Sequence, residues 1–426
     1  LSATLRALRH RNFQLFFGGQ LISLIGTWMQ NVAQAWLVYR LTGSSLLLGS
    51  VAFAGQIPVF LTSPLGGIAA DRYNRHRVVI STQTASMILA FAFAGLTLTN
   101  RITVAEIFVI AILRGIVNAF DIPGRQAFIV EMVGKEDLMN AIALNSSMFN
   151  GARIIGPAIA GMVVAKIGEG WCFFADAVSY IAVIVGLLMM HVAPRVHRPS
   201  GSPVEHIIEG FRFVRETAPI RALLLLLGLV SFVAMPYTVL MPIFADRILH
   251  GGARGLGILM GATGVGALLG ALTLATKQGV RGLGRWVMFS CGGFAVFLVF
   301  FALSTRFWLS TVLLVPVGFC MMLQMSSSNT LIQAMVPDHL RGRVMSVYSM
   351  MFMGMGPFGA LAAGAIADRL GAPIAVIMGA CVCLGGAAIF GLRLPSMRGE
   401  AWRLIIAQQM VGGEPVQEMT VQAAED

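Results

Sequence analysis

Five charged side chains interrupt or terminate stretches that are otherwise apolar: Asp71, Arg114, Asp121, Arg153 and Asp176. A guanidinium near the middle of a bilayer costs at least about 2.5–3.5 kcal/mol on insertion scales, so it is found where it faces protein or water. At about 1.5 Å per residue, Arg114 and Arg153 fall roughly 16–18 Å from the outer ends of their apolar stretches, close to a midplane. Groups so placed pair with one another, bind anionic ligands or take part in proton exchange. Asp176 is the nearest acidic candidate for either arginine; backbone carbonyls are the other partners open to them. Asp71 belongs to a denser cluster, Gly67-Ile-Ala-Ala-Asp71-Arg72-Tyr-Asn-Arg75-His-Arg77, squeezed between two long apolar segments. A charged hinge this short suggests a gate, with Gly67 permitting close helix approach and the arginines forming a fork of donors beside Asp71. Asp121 is expected to pair with Arg72 or Arg75, and protonation of either carboxylate would weaken such links.

The elements that must hold these groups follow from composition. The chain has 426 residues, 57% hydrophobic and 12% charged, with a mean hydropathy of +0.80. Soluble domains carry roughly twice that share of charge. An all-α integral membrane protein is the result, since runs this long exclude barrel strands. Twelve stretches are long enough to span: 13–39, 46–70, 78–98, 103–126, 139–165, 171–192, 222–246, 255–276, 286–304, 308–333, 344–367 and 372–392. The net charge of +11 sits in short loops, which points to bilayer orientation rather than nucleic acid;. With the N-terminus inside, only Arg40, Arg101, Lys166, Arg247, Arg254, Arg306 and Arg369 of the 30 Lys and Arg fall in loops outside. Both chain ends are therefore expected in the cytoplasm, with the protein in the inner (plasma) membrane.

Residues 193–221 form the longest internal connection, and Ile207, Ile208, Phe211 and Val214 recur there at helical spacing among Glu205, Glu209, Arg212 and Arg215. This predicts an amphipathic helix on the inner membrane face. The linker separates an N-terminal half, 1–192, from a C-terminal half, 222–392, with a polar, disordered cytoplasmic tail over 393–426. Residue 1 is Leu, so the true start is expected upstream; the basic first residues lead into a full span, not a cleavable signal;. The five cysteines lie in apolar runs, and Cys381 and Cys383 point to different helix faces, so neither disulfides nor zinc are expected;. No Walker lysine loop, metal-ligand cluster or nucleophile constellation occurs, so neither an enzyme nor a cofactor is expected.

Laying 127–168 over 330–371 matches, among others, Ser146 with Ser349, Gly151 with Gly354, Gly156 with Gly359, Gly161 with Gly364 and Gly168 with Gly371. The same offset pairs Gly67 with Gly270 and Gly115 with Gly318, which predicts two six-helix halves. It converts Asp71, Arg114, Asp121, Arg153 and Asp176 to Leu274, Val317, Gln324, Gly356 and Gly379, leaving the deep charges in the first half. Gly151, Gly156, Pro157 and Gly161, with Gly356-Pro357 opposite, suggest paired bends where the halves meet. Gln30, Asn31, Gln34, Asn118 and Asn150 could line a central cavity, faced by Tyr237, Gln324, Asn329 and Tyr348; each could equally make interhelical hydrogen bonds.

The loop Gly67-x-x-x-Asp71-Arg72-x-x-Arg75-x-Arg77 resembles the signature of the major facilitator superfamily, except that Asn74 stands where the pattern has a second glycine. Leu113-Arg114-Gly115 is like the family's buried arginine in helix four. Gly151, Gly156, Pro157 and Gly161 look like the motif of its exporters. Phe120-Asp-Ile-Pro-Gly-Arg-Gln-Ala-Phe128 and Arg341-Gly-Arg-Val-Met-Ser346 are similar to the branch holding enterobactin-type siderophore exporters and macrolide efflux pumps (transmembrane secretion effectors). The resemblance covers nearly the whole chain. It implies a twelve-helix secondary transporter whose first charged loop locks the halves when the inner side is closed. The expected function is proton-coupled export of a siderophore or an amphiphilic small molecule or drug by a monomer. A lysophospholipid transporter is the nearest rival; a membrane sensor or assembly factor that kept the fold but lost transport is the rival from another class. The first helix lacks the acidic residue of many drug–proton antiporters, which bears on where a proton would bind.

Overall fold

The computed structural model describes residues 3–134, 136–190, 203–277 and 279–411, without the side chains of 3–4, 64, 70–71, 203–207 and 409–411. A 3₁₀ turn, Ala3–Arg9, leads into α1 (Arg11–Thr42), α2 (Ser45–Arg72), α3 (Arg75–Leu98), α4 (Val104–Val133), α5 (Leu138–Ile167) and α6 (Glu169–Leu188). After α7 (Pro203–Glu216) come α8 (Ala218–Val233), α9 (Tyr237–Ile243) and a π-helical turn, Phe244–Ile248. The chain continues through α10 (Gly252–Ala275), α11 (Leu283–Leu303), α12 (Phe307–Met335), α13 (Asp338–Leu370) and α14 (Ala372–Val411).

Short connections with strong capping signals set the boundaries. Ser44 accepts from the Leu47 amide to start α2, and Thr103 with Glu106 forms a capping box on α4;. Asn74 accepts from the Arg77 amide at 3.2 Å and caps α3, which gives the side chain at this position of the charged loop a local purpose. Gly168 and Gly371, one repeat apart, close α5 and α13 with φ of 93° and 90°, a conformation a side chain would strain;.

Ten helical segments are long and apolar enough to cross a membrane by length and composition. α1 and α4 complete the twelve spans, carrying polar residues within them, Gln30, Asn31 and Gln34 on one and Arg114, Asn118 and Asp121 on the other. The seventh span is a broken one: α8 and α9 are separated at Ala234–Pro236, and the π-helical turn finishes the crossing. Pro236 and Pro242 cannot donate backbone hydrogen bonds, which accounts for the interruption. In the first half α1 packs on α5 and α6, α2 on α4, and α3 on α4 and α6. In the second, α10 packs on α12, α11 on α12 and α14, and α8 on α13 and α14. The halves meet along α2 with α13 and α5 with α10, the exchange of partners that the repeat predicts.

Two expectations change. Residues 393–411 continue the last span as helix instead of beginning a disordered tail, because only Pro395 interrupts their helical sequence and the chain absorbs it; residues 412–426 lie outside the described ones. In α7 the described face is held by protein: Val214 is buried, a Cβ on Gly210 would meet the Arg343 carbonyl, and Glu209 pairs with Arg343 of α13. Ile208 and Phe211 are exposed, while the side chains of Glu205 and Ile207 lie outside the described residues.

Candidate transport pathway and gates

With twelve spans, the start of α1 and the end of α14 lie at one end of the bundle, and the opposite end, where α1 meets α2 and the π-helical turn leads into α10, is called the far end. At the far end the halves are tied by hydrogen bonds. Tyr39 of α1 donates to Asp246 at 2.7 Å, Arg247 donates to the Gly43 carbonyl at 3.1 Å, and Ser44 donates to Asp368 at 3.2 Å. The Arg247 guanidinium also lies 5.6 Å from the centre of the Tyr39 ring;. The π-helical turn presents Asp246 and Arg247 side by side, a common use of that geometry. Beneath these contacts the helices touch through glycine: a Cβ on Gly161 would come within 2.9 Å of the Gly257 Cα, and one on Gly364 within 3.1 Å of the Gly49 Cα.

Contacts between halves reach the middle, where Gly354 meets the Phe60 ring and Gly264 meets Ile154. Further toward the chain ends, Leu61 and Leu65 of α2 are 65% and 56% exposed, and a Cβ on Gly67 would meet nothing. The side-chain and glycine contacts described between the halves thus run from the far end to the middle. The close approach expected of Gly67 belongs instead to Gly66, whose missing side chain lets α2 lie on the Ala119 carbonyl of α4. Arg72 and Arg77 are exposed, and the side chain of Asp71 lies outside the described residues.

The expected pairing of Asp121 with Arg72 or Arg75 is replaced by local partners. Asp121 is 4% exposed and accepts from Thr82 at 2.8 Å and Gln83 at 2.9 Å on α3, with Arg125 one turn along its own helix at 3.3 Å. Arg75 turns to Glu131 at 3.2 Å and to the Ala127 carbonyl. Both carboxylates sit on α4: Asp121 has Arg125 one turn along, and Glu131 is met by Arg75 from the start of α3, so both pairs stay within the N-terminal half. At the start of the chain Asp137 accepts from His10 at 2.9 Å and lies 3.3 Å from Arg6. The His10 hydrogen bond, with the nearby arginines, holds its carboxyl below the usual range.

Deeper in the same half, Asp176 is fully buried against α1. The Gln30 amide orientation that satisfies both neighbours donates to Asp176 and accepts from Arg114 at 2.7 Å;. Arg114 also donates to Gln34 at 3.2 Å, and Thr27 reaches Asp176 at 3.5 Å. Arginine and carboxylate are thus joined through a buried amide, with Gln30 as bridge. Gly26 leaves room for this, since a Cβ there would stand 2.8 Å from the Asp176 Oδ1 and the Ser179 Oγ.

Arg153 is different. It has no carboxylate partner among the described residues. Its guanidinium lies 5.8 Å from the Trp28 ring centre and donates to the Met321 sulfur of α12 at 3.9 Å, across the boundary between halves. Pro157 removes the amide that would bond the Arg153 carbonyl, and Gly264 of α10 approaches that carbonyl;. Tyr237 and Gln324 are 2% and 1% exposed, so they stand within the wall of the C-terminal half rather than lining an open cavity. Among the described residues, the Tyr237 hydroxyl, both amide atoms of Gln324 and the hydroxyls of Ser327 and Ser328 have no hydrogen-bond partner. Gln34 and Asn118 are half-buried, and Asn150 donates to the Ser146 carbonyl of its own helix at 2.9 Å. Gly156 and Gly161 divide their work: Gly156 packs on Trp28 and Ile25 of α1, and Gly161 alone meets the other half. Their repeat mates behave alike, with Gly359 on Phe232 of α8 and Gly364 on α2.

Among the described residues no group of three His, Cys, Asp or Glu could hold a metal. The sequence signals that found the deep arginines did not find Tyr39, Ser44, Asp246, Arg247 or Asp368. These contacts join residues more than 200 positions apart, and each is an ordinary helix-end residue when viewed alone.

Twelve spans in two related halves, tied at the far end and holding buried charge in the first half, define a transporter of the major facilitator fold rather than an enzyme. The chain belongs to the transmembrane secretion effector family of that superfamily, which matches residues 2–421. It is 27% identical to the staphyloferrin A transporter of Staphylococcus aureus, over 84% of this chain and 89% of that one. It is 28% identical to the multidrug efflux pump Tap of Mycolicibacterium fortuitum, over 86% and 91%. With the enterobactin exporter EntS of Citrobacter koseri it shares 26% identity over 96% of each chain. Among solved structures, the nucleoside transporter NupG superposes with a TM-score of 0.70 at 16% identity, over 92% of this chain and 99% of that one.

Proposed function

We propose that this chain exports an anionic, siderophore-like small molecule across the inner membrane by alternating access, in exchange for protons. Arg153 carries the proposal: a guanidinium held between the halves, supported by Trp28 and Met321 and left without a carboxylate, is prepared for a substrate's carboxylate or catecholate;. The unpartnered Tyr237 and Gln324 flank it from the second half; a buried polar atom left unpaired costs about 1–3 kcal/mol, which another conformation or a ligand would recover;. Siderophore transporters among the relatives support this substrate class.

The bias of basic residues supports a cytoplasmic position for the end bearing the chain termini, and in this scheme the far-end contacts close the outer side and a monomer carries out the cycle. Asp176 is the proton site of this scheme. Its protonation removes the charge opposite Arg114 and loosens the Gln30 bridge, while Asp121, Arg72, Arg75 and Asp71 belong to the inner gate. The amphiphilic drug reading draws on the Tap relative and is separated by the same assay.

The test uses inverted membrane vesicles with an imposed pH gradient, acid inside, and radiolabelled staphyloferrin-type and catecholate siderophores beside a cationic drug. Gradient-dependent uptake of a siderophore is expected, reduced at least tenfold by Arg153→Gln. Uptake of the cation alone, or siderophore uptake indifferent to Arg153, overturns the anionic-substrate reading. Indifference to collapse of the gradient overturns the proton.

A further inference from the structure

The C-terminal half holds a feature that the transport pathway does not use. α14 is 40 residues long, so it extends roughly 60 Å at 1.5 Å per residue, about twice the thickness of a hydrocarbon core;. Its final turns carry an apolar stripe, Leu394, Met397, Ala401, Trp402 and Ile405, at helical spacing;. The stripe faces the start of α11 and the end of α12, with Met397 and Ile405 buried and Leu394 against Gly284. Between lies a cavity of about 400 Å³, walled by Leu331, Phe390 and Trp402 and edged by Arg281, Arg285 and Arg398.

A second cavity of about 400 Å³ shares Arg285, Leu394 and Arg398 with the first and is bounded by Phe289, which is 68% exposed on the outer side of α11. The two cavities therefore flank one pair of arginines. No carboxylate lines either space, and among the described residues Arg281, Arg285 and Arg398 make no ion pair. Two other arginines at this end of the bundle are paired, Arg341 with Asp338 and Arg343 with Glu209. Two apolar recesses that share a cationic edge, at the level where helices leave the membrane, match one molecule with two chains and a phosphate between them. Basic pockets between spans at the inner face are where anionic head groups bind.

We infer that this site binds one anionic diacyl phospholipid of the adjacent leaflet, its phosphate between Arg285 and Arg398 and its chains in the two recesses. The site lies outside the interface between halves, so the inference is independent of the transported substrate.

Delipidated full-length protein in detergent is titrated with phosphatidylglycerol, phosphatidylcholine and glycerol 1-phosphate, with bound lipid counted by native mass spectrometry. Quenching of Trp402 by phosphatidylglycerol with brominated chains gives a second readout, with Trp402→Phe as the blank. One phosphatidylglycerol is expected to bind at least tenfold more tightly than phosphatidylcholine. Arg285→Gln with Arg398→Gln should remove that preference without altering the elution volume. Equal binding of the two lipids, or a preference that survives the double variant, overturns the inference. So does full protection by glycerol 1-phosphate, which would assign the arginines to free phosphate.

Discussion

Gln30 shows how one uncharged residue can decide what two charged ones do. Its amide stands between Arg114 and Asp176 and meets both, so neither charge is left alone in the interior of the first half. Removing one member of such a buried set leaves the other uncompensated, at about 3–5 kcal/mol for direct pairs and less where an amide intervenes. Asp176→Ala should therefore lower the melting temperature in detergent by several degrees, and Asp176→Asn, which keeps a hydrogen-bonding partner for Gln30, should recover much of the loss. Equal loss in both variants would show that the charge, rather than the contact, is what matters. At this scale the sequence was informative about identity and poor about pairing. Arg114, Arg153 and Asp176 stand out because charge is rare in apolar runs. Which partner each takes depends on rotation about helix axes, and a turn of one residue separates Gln30 from Asn31, which is exposed. Asp121 makes the same point: its partners are on α3 and α4, nearer than the loop arginines that its position in the chain suggested.

Elements fare better, since their lengths and repeats are written in hydropathy and glycine spacing. All twelve spans were legible, and the repeat correctly paired Gly161 with Gly364 at the two contacts between halves. Neighbouring glycines were harder to tell apart. Gly66 and Gly67 are adjacent in sequence, yet only the first is pressed against another backbone. The break at Ala234–Pro236 was hidden because the surrounding residues are uniformly apolar. The glycine contacts lead to a prediction about conformation. A side chain on Gly257 would strike the Pro157 carbonyl and the Gly161 backbone, neither of which can yield without separating α5 from α10. Gly257→Leu should shift the population away from the far-end-closed state. Spin labels at the far ends of α5 and α10 would record a longer mean distance, and an unchanged distribution would rule this out.

For the molecule as a whole, the far-end hydrogen bonds are one side of a balance between conformations. Closing the inner end is compatible with transport only if the Tyr39–Asp246, Ser44–Asp368 and Arg247–Gly43 contacts break. Net contributions of about 0.5–1.5 kcal/mol per hydrogen bond are small enough to break in a working cycle and large enough to hold one state. Tyr39→Phe with Asp246→Asn should raise far-end accessibility of an introduced cysteine to an impermeant maleimide several-fold, with the helix content unchanged. Accessibility equal to that of the parent would remove these contacts from the gate.

The position of those contacts has a thermodynamic corollary. On the proposed topology they lie on the exterior face, whereas Arg153 lies at the centre, and a single equilibrium between conformations connects them. Any external agent that separates Arg247 from Gly43 must then alter affinity at Arg153 by a definite factor, and cargo at Arg153 must alter the agent's binding by that same factor. An antibody fragment raised against the far end would thus act as a gauge: its titration with and without cargo would measure, from outside the cell, the coupling energy of the cycle.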